Sequence, residues 1–117
     1  MSDYSEKSDF EINKLVALAI GIYYAEEDGF VYVEPESFPD KFNPVNNPAD
    51  SWKLMADNEI CLMWNELDNN WHASEVFEAE TQPNGSDDIE FGESASHENP
   101  GRAVAICFLM IKAVDDE

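Results

Sequence analysis

Hydrophobic and polar positions follow different periods along this chain, and each period predicts an element. In "SDFEINKLVALAIG", Ile12, Leu15, Val16, Ala19 and Ile20 recur three and four residues apart, the spacing of one helical face. Ser8 stands where an N-cap is needed, Glu11 can complete a capping box, and Gly21 offers a C-terminal stop. An amphipathic helix lying on a core is expected. "GIYYAEEDGFVYVEP" reads as two short extended pieces around Asp28-Gly29, a dipeptide suited to a hairpin turn. Its second half, Phe30 to Val33, is aromatic and β-branched, as strands prefer. Residues 35–47 carry Pro35, Pro39 and Pro44 among three asparagines, so this region is expected to be mostly loop.

"NNPADSWKLMADN" has the start of a second, short helix. Asn47 supplies the cap, Pro48 sits in the first turn where its missing N–H costs nothing, and Asp50 favours the positive end of the dipole. Trp52, Leu54 or Met55, and Ala56 are the residues expected on its buried side. "EICLMWNEL" and "NWHASEVFEAET" then read as two strands joined by a polar turn at Asp68-Asn69-Asn70. The second strand alternates, with Trp71, Ala73, Glu75 and Phe77 on one face. The first is a continuous apolar run and is expected to be the more buried. Residues 82–98, rich in Gly, Ser and acids, predict an acidic surface loop, or one short strand between two loops.

The last segment, "ENPGRAVAICFLMIKAVDDE", repeats the cap-and-first-turn device with Asn99-Pro100 and continues into nine unbroken apolar residues, Ala103 to Ile111. As a helix they rise about 14 Å, half the hydrocarbon thickness of a bilayer. A helix that is apolar all round in a soluble protein must be covered on several sides. Gly101 stands in its first turn, which a glycine weakens. The whole predicts one α+β domain over 1–117, with a flexible start at 1–7. A small, mainly antiparallel β-sheet packs against the N- and C-terminal helices, and the short middle helix lies at one edge.

Composition narrows the class. The chain has 117 residues, 44% of them hydrophobic, with 3 Trp, 4 Tyr and 7 Phe, enough apolar mass to fill one interior. "MSDYSEKSDFEINK" lacks the basic start and apolar run of a signal peptide, and no stretch reaches the roughly 20 apolar residues of a membrane span. A cytoplasmic protein is expected. Cys61 and Cys107 each lie inside an apolar run and read as reduced, buried thiols, since no disulfide or metal spacing surrounds them.

Three stretches taken together, "YSEKSDFEIN", "NNPADSW" and "ENPGRAVAICFLM", resemble the NinX-like family of tailed-phage and prophage proteins. Its members are small and soluble, and they sit among phage accessory genes without an established biochemical activity. The resemblance implies a phage-encoded origin and a location in the host cytoplasm. It transfers no catalytic residues.

Charge is the least ordinary property. Asp and Glu number 26 against 6 Lys and Arg, a formal net charge of −20. Between Lys53 and Arg102 lie 48 positions without a basic residue, and twelve acids: Asp57, Glu59, Glu66, Asp68, Glu75, Glu78, Glu80, Asp87, Asp88, Glu90, Glu93 and Glu98. Such a field repels nucleic acid and attracts basic surfaces. A solvated, solubilising face is the plain alternative. Neither "AEEDGF" nor "SDDIEFGE" has the alternating ligands of a calcium loop, and His72 and His97 stand 25 residues apart with no nucleophile motif beside them. Trp64 is expected in the core and Trp71, beside a polar turn, partly exposed. Aromatics with polar neighbours favour interaction surfaces, so the expected surface is Asp68, Trp71, His72 and Glu75, with Glu78, Glu80, Asp87 and Asp88 along the same acidic region.

The function expected is a non-catalytic, macromolecule-binding accessory protein without cofactor. Its expected partner is a host or phage protein with a basic surface, and neither direct nucleic-acid contact nor membrane contact is foreseen. Two alternatives follow from the same charges: an acidic nucleic-acid mimic that inhibits a host enzyme, and, with least support, a carboxylate-based metal-dependent enzyme.

Overall fold

A computed structural model of the chain describes residues 4–33, 40–81 and 87–112. Local backbone chemistry sets its elements. α1 (Asp9–Ile20) starts on the capping box of Ser8 and Glu11 and stops at Gly21, whose φ of 86° is left-handed. β1 (Tyr23–Glu27) and β2 (Phe30–Val33) form a hairpin around Asp28 and Gly29, whose φ values of 53° and 79° define a type I′ turn. β3 (Asp40–Phe42) adds antiparallel to β2. α2 (Pro48–Asn58) is capped by the Asn47 side chain and ends at Glu59, also left-handed. β4 (Ile60–Asn65), β5 (Asn70–Thr81) and β6 (Asp87–His97) form a second antiparallel sheet in that order. α3 (Pro100–Ile111) closes the fold, capped by Asn99.

The architecture is α+β, as expected, with the strands divided between two three-stranded antiparallel sheets. α3 is the central post. Every residue from Gly101 to Leu109 is buried, with α1, α2 and the sheet β4–β5–β6 packed against it. Phe108, Leu109, Val104, Ile12, Val16 and Val31 are among the largest fully enclosed side chains. Burial of each large apolar group stabilises by about 2 kcal/mol before ordering entropy is counted.

Four expectations are corrected. The start at 1–7 is not simply flexible: Tyr4–Glu6 form a 3-10 turn and Tyr4 is buried, while residues 1–3 lie outside the described residues. The acidic segment 82–98 is largely strand, because β6, eleven residues long, pairs antiparallel with β5; residues 82–86 lie outside the described residues. β4 is not the more buried strand. It is a sheet edge, which leaves Met63 51% and Trp64 47% exposed. On α2, Leu54 is buried and Met55 half-buried, but Trp52 and Ala56 face solvent.

The face that α1 buries is also turned relative to its apolar pattern. Ile12, Val16 and Ala17 go inward, Ile20 is exposed, and the polar Asn13 is buried. Asn13 is accommodated because its amide is satisfied: Nδ2 donates to Asn43 Oδ1 at 2.8 Å and Oδ1 accepts from the Val45 N–H at 3.2 Å. The 43–46 turn that it holds is part of the interior, with Pro44 and Val45 buried.

Candidate functional site

The pleat divides the residues expected to share one surface. Trp71 and His72 are neighbours on β5 and so point to opposite faces. Trp71 faces the helices and stands opposite Trp64 in register; their rings meet edge to face at 5.4 Å and 64°. His72 faces away, with Nε2 3.5 Å from Asp68 Oδ2, and Asn65 Nδ2 lies 3.3 Å from each of those two atoms. The structure thus brings Asp68 and His72 together and separates them from Trp71. Glu75 lies opposite Ile60, half-buried. Glu78 and Glu80 lie in the outer half of β5, Asp87 and Asp88 at the start of β6. The backbone pairs Glu78 with Ile89 and Thr81 with Asp87, but the side chains of these four acids lie outside the described residues.

A different constellation forms where the three Asn-Pro dipeptides meet. Asn43-Pro44 makes a turn, with the Asn46 and Asn47 N–H groups donating to the Asn43 carbonyl at 3.2 and 2.7 Å. Asn47-Pro48 and Asn99-Pro100 start helices, and the cap side chains accept from Ala49 N–H at 3.1 Å and Gly101 N–H at 2.9 Å. Side chains tie these starts together. Asn99 Nδ2 donates to Asn46 Oδ1 at 3.2 Å, Asn46 Nδ2 to Asp9 Oδ2 at 3.3 Å, and Asp50 accepts from Asn43 N–H at 2.9 Å. Arg102, buried on α3, donates to Asp9 Oδ1 at 2.6 Å and to the Tyr4 carbonyl at 3.2 Å. The three sequence motifs that carry the family resemblance are therefore one polar junction in space.

Gly101 is explained here. A Cβ on it would lie 2.2 Å from the Val45 carbonyl oxygen and 2.6 Å from that of Pro44, so the glycine lets the turn lie directly on α3. Ser51 supports the same turn from α2, donating to the Pro44 carbonyl at 2.5 Å.

Beside this junction a cleft of about 280 Å³ opens between α2 and α3. Val45, Pro48, Met55, Leu62, Pro100 and Val104 give it apolar walls. Trp52 lines it while remaining 70% exposed. A volume near the bottom of the ~300–1,000 Å³ range of small-molecule sites suits one or two inserted side chains. A second cleft, of about 320 Å³, lies at the other end of α3 between Ile20, Phe42, Leu54 and Phe108, rimmed by Lys53, Asp57 and Lys112. The sequence pattern does not reveal the first cleft, because it puts Trp52 on the buried side of α2.

Among the described residues no group of three or more His, Cys, Asp or Glu side chains could hold a metal ion. Cys107 is enclosed, and burial pushes its thiol up to about 12, far from a nucleophile's range. Its Sγ lies 3.4 Å from the Glu93 carbonyl oxygen. Among the described residues no helix is long and apolar enough to cross a membrane.

Fold and surface together define a class: a small acidic α+β protein built on a buried C-terminal helix, with helix starts tied by asparagines. Within that class the relationship is specific. The family model for NinX of bacteriophage P22 matches residues 3–112, and the chain belongs to that family. No curated protein matches it.

Proposed function

We propose that this phage accessory protein acts in the host cytoplasm by binding a basic protein partner, without chemistry of its own, and that the α2–α3 cleft is where the partner docks. The observation that carries the reading is Trp52, a large aromatic side chain left 70% exposed on the rim of an apolar cleft. Tryptophan dominates interface hot spots because it contributes much apolar area at little rotamer cost. The surrounding charge supplies the partner's sign. A net −20 accelerates encounter with a basic surface and disfavours an acidic one.

The test is capture from host lysate on immobilised protein at low and high salt, comparing wild type with Trp52→Ala. A partner held at low salt, released at high salt and retained at least fivefold less by Trp52→Ala supports the reading. Binding that ignores both salt and Trp52 contradicts it. The nucleic-acid mimic is the second reading, favoured by the acids along β5 and β6. Salt-sensitive capture unaffected by Trp52→Ala but lost on Glu78→Lys would move the site to that hairpin.

A further inference from the structure

We propose that the outer edge of β4, which among the described residues has no second strand beside it, receives an extended basic segment of the partner as an added antiparallel or parallel strand, which places one apolar side chain in the cleft beside Trp52. The inference rests on the docking reading above and specifies its geometry.

The two sheets present four edge strands, β1, β3, β4 and β6. Sheet edges are normally protected by charges, prolines or bulges, because their unpaired N–H and C=O groups recruit further strands. Three of these edges carry charges: Glu26 and Glu27 on β1, Asp40 and Lys41 on β3, and Asp87, Asp88, Glu90 and Glu93 on β6. β4 reads Ile60-Cys61-Leu62-Met63-Trp64-Asn65, with no charge and no proline. Among the described residues it pairs with β5 alone. An unprotected edge of this composition is an aggregation liability unless it serves binding.

Position connects the edge to the cleft. Leu62 belongs to β4 and also lines the cleft with Trp52 and Met55 of α2. A strand added beside β4 presents alternate side chains to the same face as Ile60, Leu62 and Trp64, toward α2. Six residues of β4 span about 20 Å, enough to pair with a segment of five or six residues.

Charge selects the occupant. Glu59 precedes β4, and Glu66 and Asp68 follow it, all exposed. Lys53, on α2 ahead of β4, is paired with Asp57 at 3.2 Å. A second copy of this chain would bring another −20 to the same edge, so a lysine- or arginine-bearing segment with alternating apolar residues is the complementary partner.

The probe is the synthetic peptide acetyl-KVKLKVK-amide, titrated into isotope-labelled full-length protein and followed by amide and indole NMR shifts. Two further versions carry N-methyl groups on odd or on even residues; acetyl-EVELEVE-amide and a lysine heptamer test charge alone. The expected result is shifts at Ile60–Asn65 and at the Trp52 indole, with affinity at least tenfold weaker for one N-methylated version than for the other, because only alternate amides face β4. The glutamate peptide and the lysine heptamer leave Leu62 and Trp52 unmoved. Equal affinity of both N-methylated versions with the unmodified peptide overturns strand addition. If Trp52→Ala still weakens that peptide, cleft docking stands by itself. Shifts confined to β6 overturn both readings. Concentration-dependent shifts of β4 in protein alone identify a second copy as the occupant and overturn the basic-segment assignment. Trp52 is exposed, so its alanine variant folds and the comparison remains interpretable.

Discussion

Arg102 on α3 donates to Asp9 on α1 at 2.6 Å, joining residues 93 positions apart in one ion pair. The same guanidinium donates to the carbonyls of Tyr4, at 3.2 Å, and Lys7, at 2.5 Å, so one buried side chain fastens the chain's first turn and first helix to its last. Asp9 is half-exposed and rehydrates if its partner is removed, so the lost bonds and packing dominate the cost. Arg102→Met is expected to lower stability by about 2 kcal/mol in urea unfolding. Arg102→Lys should recover only part of it, since an ammonium cannot reproduce the planar fork. Equal stability of all three proteins would contradict the fastening role.

Gly101 gives a prediction whose sign is diagnostic. In an exposed helix, Gly→Ala stabilises by up to about 1 kcal/mol. Here the added methyl meets backbone oxygens of Val45 and Pro44, which cannot swing aside. Gly101→Ala is expected to destabilise by about 2 kcal/mol, read as a lower thermal midpoint. A raised midpoint would show that the turn does not press on α3.

The two thiols should react differently. At pH 8 a thiol near 12 is about 10⁻⁴ thiolate, so Cys107 resists iodoacetamide until the protein unfolds, whereas the half-buried Cys61 is modified first. The folded state keeps the Cys107 proton that the unfolded chain releases near the ordinary value of 9.0, so stability declines as pH rises from there toward about 12. Cys107→Ala should flatten that part of the pH–stability curve, measured by urea unfolding above pH 8. An unchanged slope would contradict the burial argument.

Glu26 links α1 to β1, accepting from Lys14 Nζ at 2.8 Å and from the Tyr23 hydroxyl at 2.7 Å. These bonds, Lys14's first, hold its carboxyl below the usual range. The associated stability is present above the unfolded carboxylate value and is lost as pH falls through the lowered folded value. Glu26→Gln is expected to narrow the difference in thermal midpoint between about pH 6 and pH 3. The pair is exposed, so the change is small, and a widened difference would contradict it.

Legibility in the sequence followed the range of the physics. Ser8 with Glu11, Asp28-Gly29, Asn47-Pro48 and Asn99-Pro100 act on backbone within four residues, and each sits where its chemistry predicts. The buried last helix was legible because nine apolar residues have no polar side to expose. Asn13 was not, because its partners Asn43 and Val45 are distant in sequence. The exposure of β4 is hidden for a related reason: an apolar run reports the character of side chains, not whether another strand lies beside them. Adjacency in sequence suggests one surface around Trp71 and His72, and the strand's period of two separates them. The cleft at Trp52 needed the third dimension, since its walls come from the 43–46 turn, α2, β4 and α3.

Hydrogen exchange of the protein, free and bound to its captured basic partner, tests the docking account most directly. The account predicts new protection of the Ile60–Asn65 amides and of the α2 start around Trp52, with β6 unchanged. Protection that falls on β6 and the outer half of β5, with Ile60–Asn65 exchanging as in the free protein, would contradict it.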